Sequence, residues 1–208
     1  MRLARCSLLA LVPLLACAHG PGAAARQSGA PSTAVPAARP EATGPVQYFP
    51  LAVGNEWTYV DQSPALPATE RGVQRTVRIL ERTADGFFRD NERGELRVEG
   101  DCVRDRKRRL LCRPFQKGAT WSSVVSVSST ERYEIAATDE TVDTPAGRFQ
   151  HCVRVRAHNR ATRSTDHVLE ISYAPRVGPV RIETYVIVDG EVTPQIRAVL
   201  QRYSLEGK

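Results

Sequence analysis

Three cysteines in the body of the chain, Cys102, Cys112 and Cys152, carry the chemistry easiest to name, since a thiol can close a disulfide, hold a metal or attack as thiolate. Cys102 and Cys112 bracket a basic run. Set across a hairpin, Val103 falls opposite Leu111 and Arg104 opposite Leu110, which leaves Asp105 to Arg109 as a five-residue loop. Opposed residues of a non-hydrogen-bonded pair stand about 4.5 Å apart at Cα, at the short end of disulfide reach. A Cys102–Cys112 disulfide is therefore expected, with a bridge from Cys152 to either partner as the alternative. The thiol left over is expected to be structural, because Arg154 and Arg156 are the only activating charges on its face of an alternating strand.

The run itself holds Arg104, Arg106, Lys107, Arg108 and Arg109 against Asp105. On a tethered domain such a tip could meet anionic headgroups, lipopolysaccharide phosphates or peptidoglycan, while a solvated charged loop is the plainer reading. Over the whole chain, 29 basic and 23 acidic residues give a net charge of +6, with alternating signs. This describes a mixed surface and does not imply nucleic acid. The four histidines, His19, His151, His158 and His167, form no HExxH and no compact set with carboxylates. His167 reads as a histidine of a core or barrel mouth. Neither a GxSxG elbow nor a phosphate-binding glycine loop occurs. The acidic pairs Asp139 with Glu140 and Glu131 with Glu134 sit in settings typical of solvated faces. No enzymatic activity, metal or cofactor is expected.

A fourth thiol, Cys17, belongs to a different context. Residues 1–16 have a charged start at Arg2 and Arg5, an apolar run from Ser7 to Ala16, and too little length to span a bilayer. Leu14-Leu15-Ala16-Cys17 resembles the lipobox of bacterial lipoproteins. That resemblance implies that Cys17 becomes the acylated first residue, attached by two or three chains, which hold where one alone would not. Ala18 follows where an Asp would imply retention at the inner membrane, so the outer membrane is expected, on its periplasmic side or at the cell surface. A plain secretory signal cut near Ala23 to Ala25 is the alternative. Residues 17–45 are rich in Ala, Pro, Gly and Ser with almost no apolar bulk, a composition that cannot repay the entropy of ordering. They read as a flexible tether.

Positioning falls to residues 46–208, read as one domain. Alternation of apolar and polar residues recurs from Tyr48 onward, and no helical period persists. Expected strands are Glu56–Asp61, Val73–Arg82, Gly86–Asn91, Glu95–Val103, Leu110–Arg113, Trp121–Ser128, Arg132–Thr141, Phe149–Ala157, Thr165–Tyr173, Pro179–Val188 and Pro194–Tyr203. Inward rows are Val73, Val77, Ile79; then Phe149, His151, Val153, Val155; then Leu169, Ile171, Tyr173; and last Val180, Ile182, Val186, Val188. Pro50, Gly54 and Trp57 are spaced like Pro114, Gly118 and Trp121, each set reading as a turn followed by an aromatic plug. Trp57, Trp121, Phe149 and Tyr173 are the expected core aromatics. The fold class is all-β, an antiparallel meander forming a barrel, half-barrel or curled sheet, with a sandwich as the other layout.

Three segments, YFPLAVGNEWTY from Tyr48, VDTPAGRFQHCVRV from Val142 and YAPRVGPVR from Tyr173, resemble recurring segments of a group of secreted or lipid-anchored bacterial β proteins of unknown function. The resemblance implies a fold and no chemistry. A weaker likeness is to the curled sheets of lipoprotein carriers such as LolA and LolB, which shelter acyl chains on the concave side. This chain departs from them in having no helical segment able to act as their lid. The leading expectation is a non-enzymatic envelope lipoprotein whose β domain binds a partner protein or an envelope component such as a lipid or anionic glycan. The alternative is a carrier or sensor that encloses an apolar ligand or acyl chain. A cavity of roughly 300 to 1,000 Å³ lined by the inward rows would favour the second, and a filled core the first.

Overall fold

The structure, a computed structural model, describes residues 44–206 except 68 and 70. Cys17, the signal and nearly all of the tether lie outside the described residues. Twelve strands follow in order: β1 (Glu56–Asp61), β2 (Gln74–Arg82), β3 (Phe88–Asp90), β4 (Glu95–Glu99), β5 (Cys102–Arg104), β6 (Arg109–Cys112), β7 (Thr120–Ser126), β8 (Ser129–Thr144), β9 (Gly147–Arg160), β10 (Thr165–Ala174), β11 (Gly178–Val188) and β12 (Glu191–Ser204). Among the described residues the only helical element is the 3-10 turn Pro45–Gln47.

All twelve strands belong to one antiparallel sheet, ordered β6-β5-β4-β3-β2-β1-β12-β11-β10-β9-β8-β7 and curled into a nearly closed barrel. This excludes the sandwich. The two free edges, β6 and β7, meet through side chains where a ladder would otherwise run. The Trp121 indole N–H donates to the Arg109 carbonyl at 2.7 Å, the Arg109 amide to Ser123 Oγ at 2.9 Å, and the Arg109 guanidinium to the Ser122 carbonyl at 2.7 Å. Open edges invite pairing with foreign strands, and these bonds occupy them.

The two turn-and-aromatic segments prove structurally equivalent. Gly54 donates its N–H to the Ile79 carbonyl while the Ile79 N–H donates to Asn55; Gly118 and Ala119 exchange the same pair of bonds with Ile135. Both glycines have positive φ, 94° and 87°, the conformation these turns need. Trp57 then stands opposite Val77 across β1 and β2, as Trp121 stands opposite Tyr133 across β7 and β8. Strands β1–β6 and β7–β12 thus form two halves that start with the same turn.

Alternation located the strands within a few residues but missed breaks in the ladder. The expected strand Glu95–Val103 is two, β4 and β5, separated by a turn at Gly100, whose φ is 56°. In the hairpin above the cysteines, Arg104 faces Arg109 instead of Leu110, because the register shifts there, so the loop is 105–108. The expected row of Phe149, His151, Val153 and Val155 breaks at His151. His151 (φ 57°) and Asp139 (φ 60°) lie beside successive register shifts between β8 and β9. Bulges of this kind bend a strand and re-aim its side chains. His151 turns outward to pair with Asp139, and neighbouring Cys152 and Val153 are both fully buried. The bent hairpin reaches β12, where the Ala146 amide donates to the Leu200 carbonyl at 3.1 Å and Phe149 packs on Tyr203. Val73 and Val188, placed in inward rows, are 64% and 43% exposed because Val73 precedes β2 and Val188 ends β11.

Charges cross the strands on the outer face. Glu170 of β10, 7% exposed, accepts from Arg156 at 2.5 Å and from Arg154 at 3.3 Å, both on β9, and from the Tyr185 hydroxyl of β11 at 3.1 Å. Arg154 and Arg181 also approach Glu140. The acids expected on solvated faces are therefore partly structural. Glu131 is the clearest case, 8% exposed and held by Arg108 and the Tyr133 hydroxyl.

Candidate functional site

The meander sorts its turns to two ends of the barrel. One end is plugged. Phe49 packs edge-on to Trp57 and against Tyr173, both at 5.9 Å between centroids. Trp57 donates its indole N–H to the Val177 carbonyl at 2.6 Å and Tyr59 its hydroxyl to the Pro179 carbonyl at 3.0 Å. The Tyr48 hydroxyl donates to the His151 carbonyl at 3.3 Å. The three segments that carry the family resemblance are thus neighbours in space, and together they build this plug. Gly178 is required in it: its φ is 108°, and a Cβ there would meet Trp57 Nε1 at 3.1 Å.

On the inner face of the barrel, a chamber of about 440 Å³, open to solvent on the side of Val73 and Ile196, lies against β1–β4, β11 and β12. Phe49, Leu51, Trp57, Tyr59, Val77, Ile79, Phe88, Leu96, Ile182, Ile196 and Ala198 line it. Its volume falls within the ~300–1,000 Å³ of small-molecule sites. Because the polar tips of Trp57 and Tyr59 are already bonded to backbone carbonyls, those aromatics present carbon to the interior. Burial lifts the Tyr59 hydroxyl well above the ordinary phenol range, which keeps it a neutral donor.

The few charges in the chamber wall are also engaged. Arg75 is bonded through two nitrogens to Glu92, and that hydrogen bond raises its pKa further. Asp61 accepts from the Ser63 amide at 2.7 Å, and Asp90 from the Glu92 and Gly94 amides at 2.8 and 2.7 Å. What remains facing the void is mainly apolar.

Two further recesses adjoin it. One, of about 520 Å³, lies against β6 and β8–β11 and shares Thr184 with the apolar chamber; Leu110, Leu169 and Val186 alternate there with Glu131, Tyr133, Asn159 and His167. The other, of about 400 Å³, shares Asp90 and Leu96 with the chamber and is lined by Arg93 and the loop Asp105–Arg108. A larger hollow of about 690 Å³ lies on the outer face of β7–β10 among Thr120, Ser122, Arg132, Glu134 and Arg160. Its lining is mixed, since Trp121 and Tyr133 stand there among the polar groups, and it is open to solvent.

Cys102 and Cys112 are joined, with Cα atoms 4.1 Å apart, and Cys152 remains a free, buried thiol. The bridges from Cys152 are excluded. Burial, and after it the charge of Glu140, push this thiol up to about 11, away from nucleophilic use. Most of the basic tip is spent internally. Arg104 pairs with Glu99, Arg106 with Asp85 and Glu95, and Arg108 with Glu131. The guanidinium groups of Arg97 and Arg106 lie over the Phe87 ring, at 4.5 and 3.9 Å from its centre. The hydrogen bond from Arg106 pulls the Asp85 carboxyl down to about 2.

Of the expected core aromatics, Trp57 and Tyr173 are buried in the plug, whereas Trp121 and Phe149 are only half-buried, at the seam and on the bent hairpin. His151 and His167 are not brought together. His167 pairs with Asn159 across β9 and β10, and Asn159 lies eight residues along β9 from His151, roughly 25 Å of strand. Among the described residues no cluster of His, Cys, Asp and Glu could hold a metal ion. Sequence reasoning missed Arg93 and Thr184, since neither stands in a motif, and read the buried Glu131 as solvated.

No protein-family profile and no curated protein matches the chain. Two solved structures are similar to it. One is an inferred exported protein with a YmcC-like fold from Bacteroides fragilis, at 16% identity and a TM-score of 0.45, covering 76% of this chain and 99% of that one. The other is an inferred lipoprotein from Parabacteroides distasonis, at 14% identity and a TM-score of 0.41, covering 76% and 98%.

Proposed function

We propose that this chain is a lipid-anchored protein of the bacterial envelope, held at the outer membrane through Cys17, whose barrel encloses an apolar ligand as a carrier or sensor and catalyses no reaction. The observation that carries the reading is the 440 Å³ chamber, whose aromatic polar tips and wall charges are already engaged. An apolar ligand loses nothing by desolvation there and gains about 25 cal/mol for each Å² of apolar surface it buries. A polar one would forfeit its water without replacement. The anchor rests on the Leu14-Leu15-Ala16-Cys17 sequence. Recognition of a partner through the outer surface, the first expectation from sequence, has no comparable observation behind it, since most charges of the basic tip are internally paired.

Native mass spectrometry of the full chain purified from its own envelope tests this. An apolar molecule bound one to one to the barrel supports the reading, and a chain that carries only a partner protein and no small molecule overturns it. Mass analysis of the mature amino terminus tests the anchor separately: acylated Cys17 is expected, and an unmodified later residue contradicts it.

A further inference from the structure

The apolar chamber does not end in a uniformly polar rim. Its wall continues at Asp90 and Leu96 into the recess formed by the β3–β4 turn and the β5–β6 loop, where Arg93 and Lys107 stand. The charged groups there are unequally committed. Asp90 is spent on the amides of Glu92 and Gly94, Glu95 on Arg89 and Arg106, and Asp105 on the amides of Lys107 and Arg108 as well as the Arg108 guanidinium. Arg106 and Arg108 are paired in turn with Glu95 and Glu131. Among the described residues, the side chains of Arg93 and Lys107 alone in this recess make no ion pair or hydrogen bond. Arg93 is held there by a left-handed turn conformation, with φ of 68°.

Two uncommitted cations beside an apolar chamber define a ligand with both characters. We propose that the barrel binds a single-chain anionic amphiphile, its hydrocarbon tail in the chamber lined by Trp57, Ile79 and Ile182 and its carboxylate or phosphate head at Arg93 and Lys107. This deepens the carrier reading and rests on it. The chamber volume suits one chain: at about 30 Å³ per water-sized group, 440 Å³ takes on the order of a dozen methylenes. A two-chain lipid exceeds it. The head meets donors it would otherwise lack, and of the three carboxylates in the recess Glu95 and Asp105 are ion-paired, while Asp90, bonded to backbone amides, keeps its charge. Because both cations are exposed, the head contributes modestly and in a salt-dependent way, while the tail supplies most of the affinity.

Calorimetric titration of the full chain with dodecanoate and with dodecanol, each at low and at high salt, separates tail from head. Dodecanoate is expected to bind about tenfold more tightly than dodecanol at low salt, with the advantage shrinking at high salt. The double variant Arg93→Ala and Lys107→Ala, which alters exposed side chains only, is expected to remove that advantage and leave dodecanol binding unchanged. Equal affinity for the two probes, or a double variant that binds dodecanoate as the wild type does, overturns the head-group assignment while leaving the apolar chamber standing. Failure of both probes to bind overturns the chamber reading itself.

Discussion

The indole N–H of Trp121 on β7 lies 2.7 Å from the carbonyl oxygen of Arg109 on β6, and this contact joins the two edges of a sheet that otherwise has ends. The ring also stacks on Tyr133 of the neighbouring β8, at 5.5 Å and nearly parallel, so the residue that bonds across the seam is steadied by packing on its own side.

Trp121→Phe keeps most of the stack and deletes the donor. The expected cost is about 1 kcal/mol in urea unfolding, the net worth of one hydrogen bond. Amide exchange should quicken in β6 and β7 before it does in β10. Uniform quickening across the barrel would mean that the seam is no weaker than the ladders.

Glu170 ties three strands on the outer face, and burial alone would raise its pKa. The hydrogen bond from Arg156, with the charges of Arg156 and Arg154, outweighs burial and holds the carboxyl below its ordinary 4.5. This contribution to stability is present above the unfolded carboxylate value and is lost as pH falls through the lower folded one. Glu170→Gln should cost about 2–3 kcal/mol at neutral pH, because Arg154 and Arg156 lose a buried partner, and should flatten the acid limb of stability against pH. An acid limb of unchanged slope would contradict the assignment.

Which parts of this were legible in the sequence follows from what alternation encodes. Period two records which side of a strand meets the core, so β1, β2 and β10–β12 were readable, as was the Cys102 and Cys112 pairing. It does not record where a strand bends: nothing in Asp139 or His151 announces a left-handed backbone, and that bend carries the hairpin to Leu200. The spacing of Gly54 to Trp57 and of Gly118 to Trp121 marked the two equivalent turns, but not that Trp121 closes the barrel. The chamber was invisible for a simpler reason. Ile182 and Ala198 read as core residues whether the space in front of them is filled or empty, because the pattern fixes direction and the packing of distant strands fixes volume.

Gly178→Ala places a methyl 3.1 Å from Trp57 Nε1 at a φ of 108°. Strain and contact together should cost about 2–3 kcal/mol and weaken the bond from Trp57 to Val177. Near-ultraviolet circular dichroism of the tryptophans, read with the melting midpoint, checks both. An unchanged aromatic signal with an unchanged midpoint would show that the plug yields.

Joint replacement of Cys102 and Cys112 by serine releases a bridge spanning ten residues and should cost about 2–3 kcal/mol. Loss of stability below about 0.5 kcal/mol would show that the ladders alone hold the β5–β6 hairpin.

Cys152 should resist alkylation in the folded chain at pH 8, as measured on its own peptide by mass spectrometry. Since its folded value is raised from the ordinary 9.0 to about 11, the stability it supports is complete below 9 and is lost as pH rises through 11. Cys152→Ala should remove that part of the alkaline slope, and rapid labelling of the native thiol would contradict its burial.

The enclosure of a ligand is tested most directly by filling the chamber. Ala198→Phe projects a ring into the space between Ile182 and Trp57, and calorimetric titration with dodecanol reads the outcome. The wild-type chain should bind one molecule saturably, and the variant, shown by circular dichroism to keep its β signal, should lose at least tenfold in affinity. A folded variant that binds as well as the wild type, or a wild type that does not bind at all, would contradict the account.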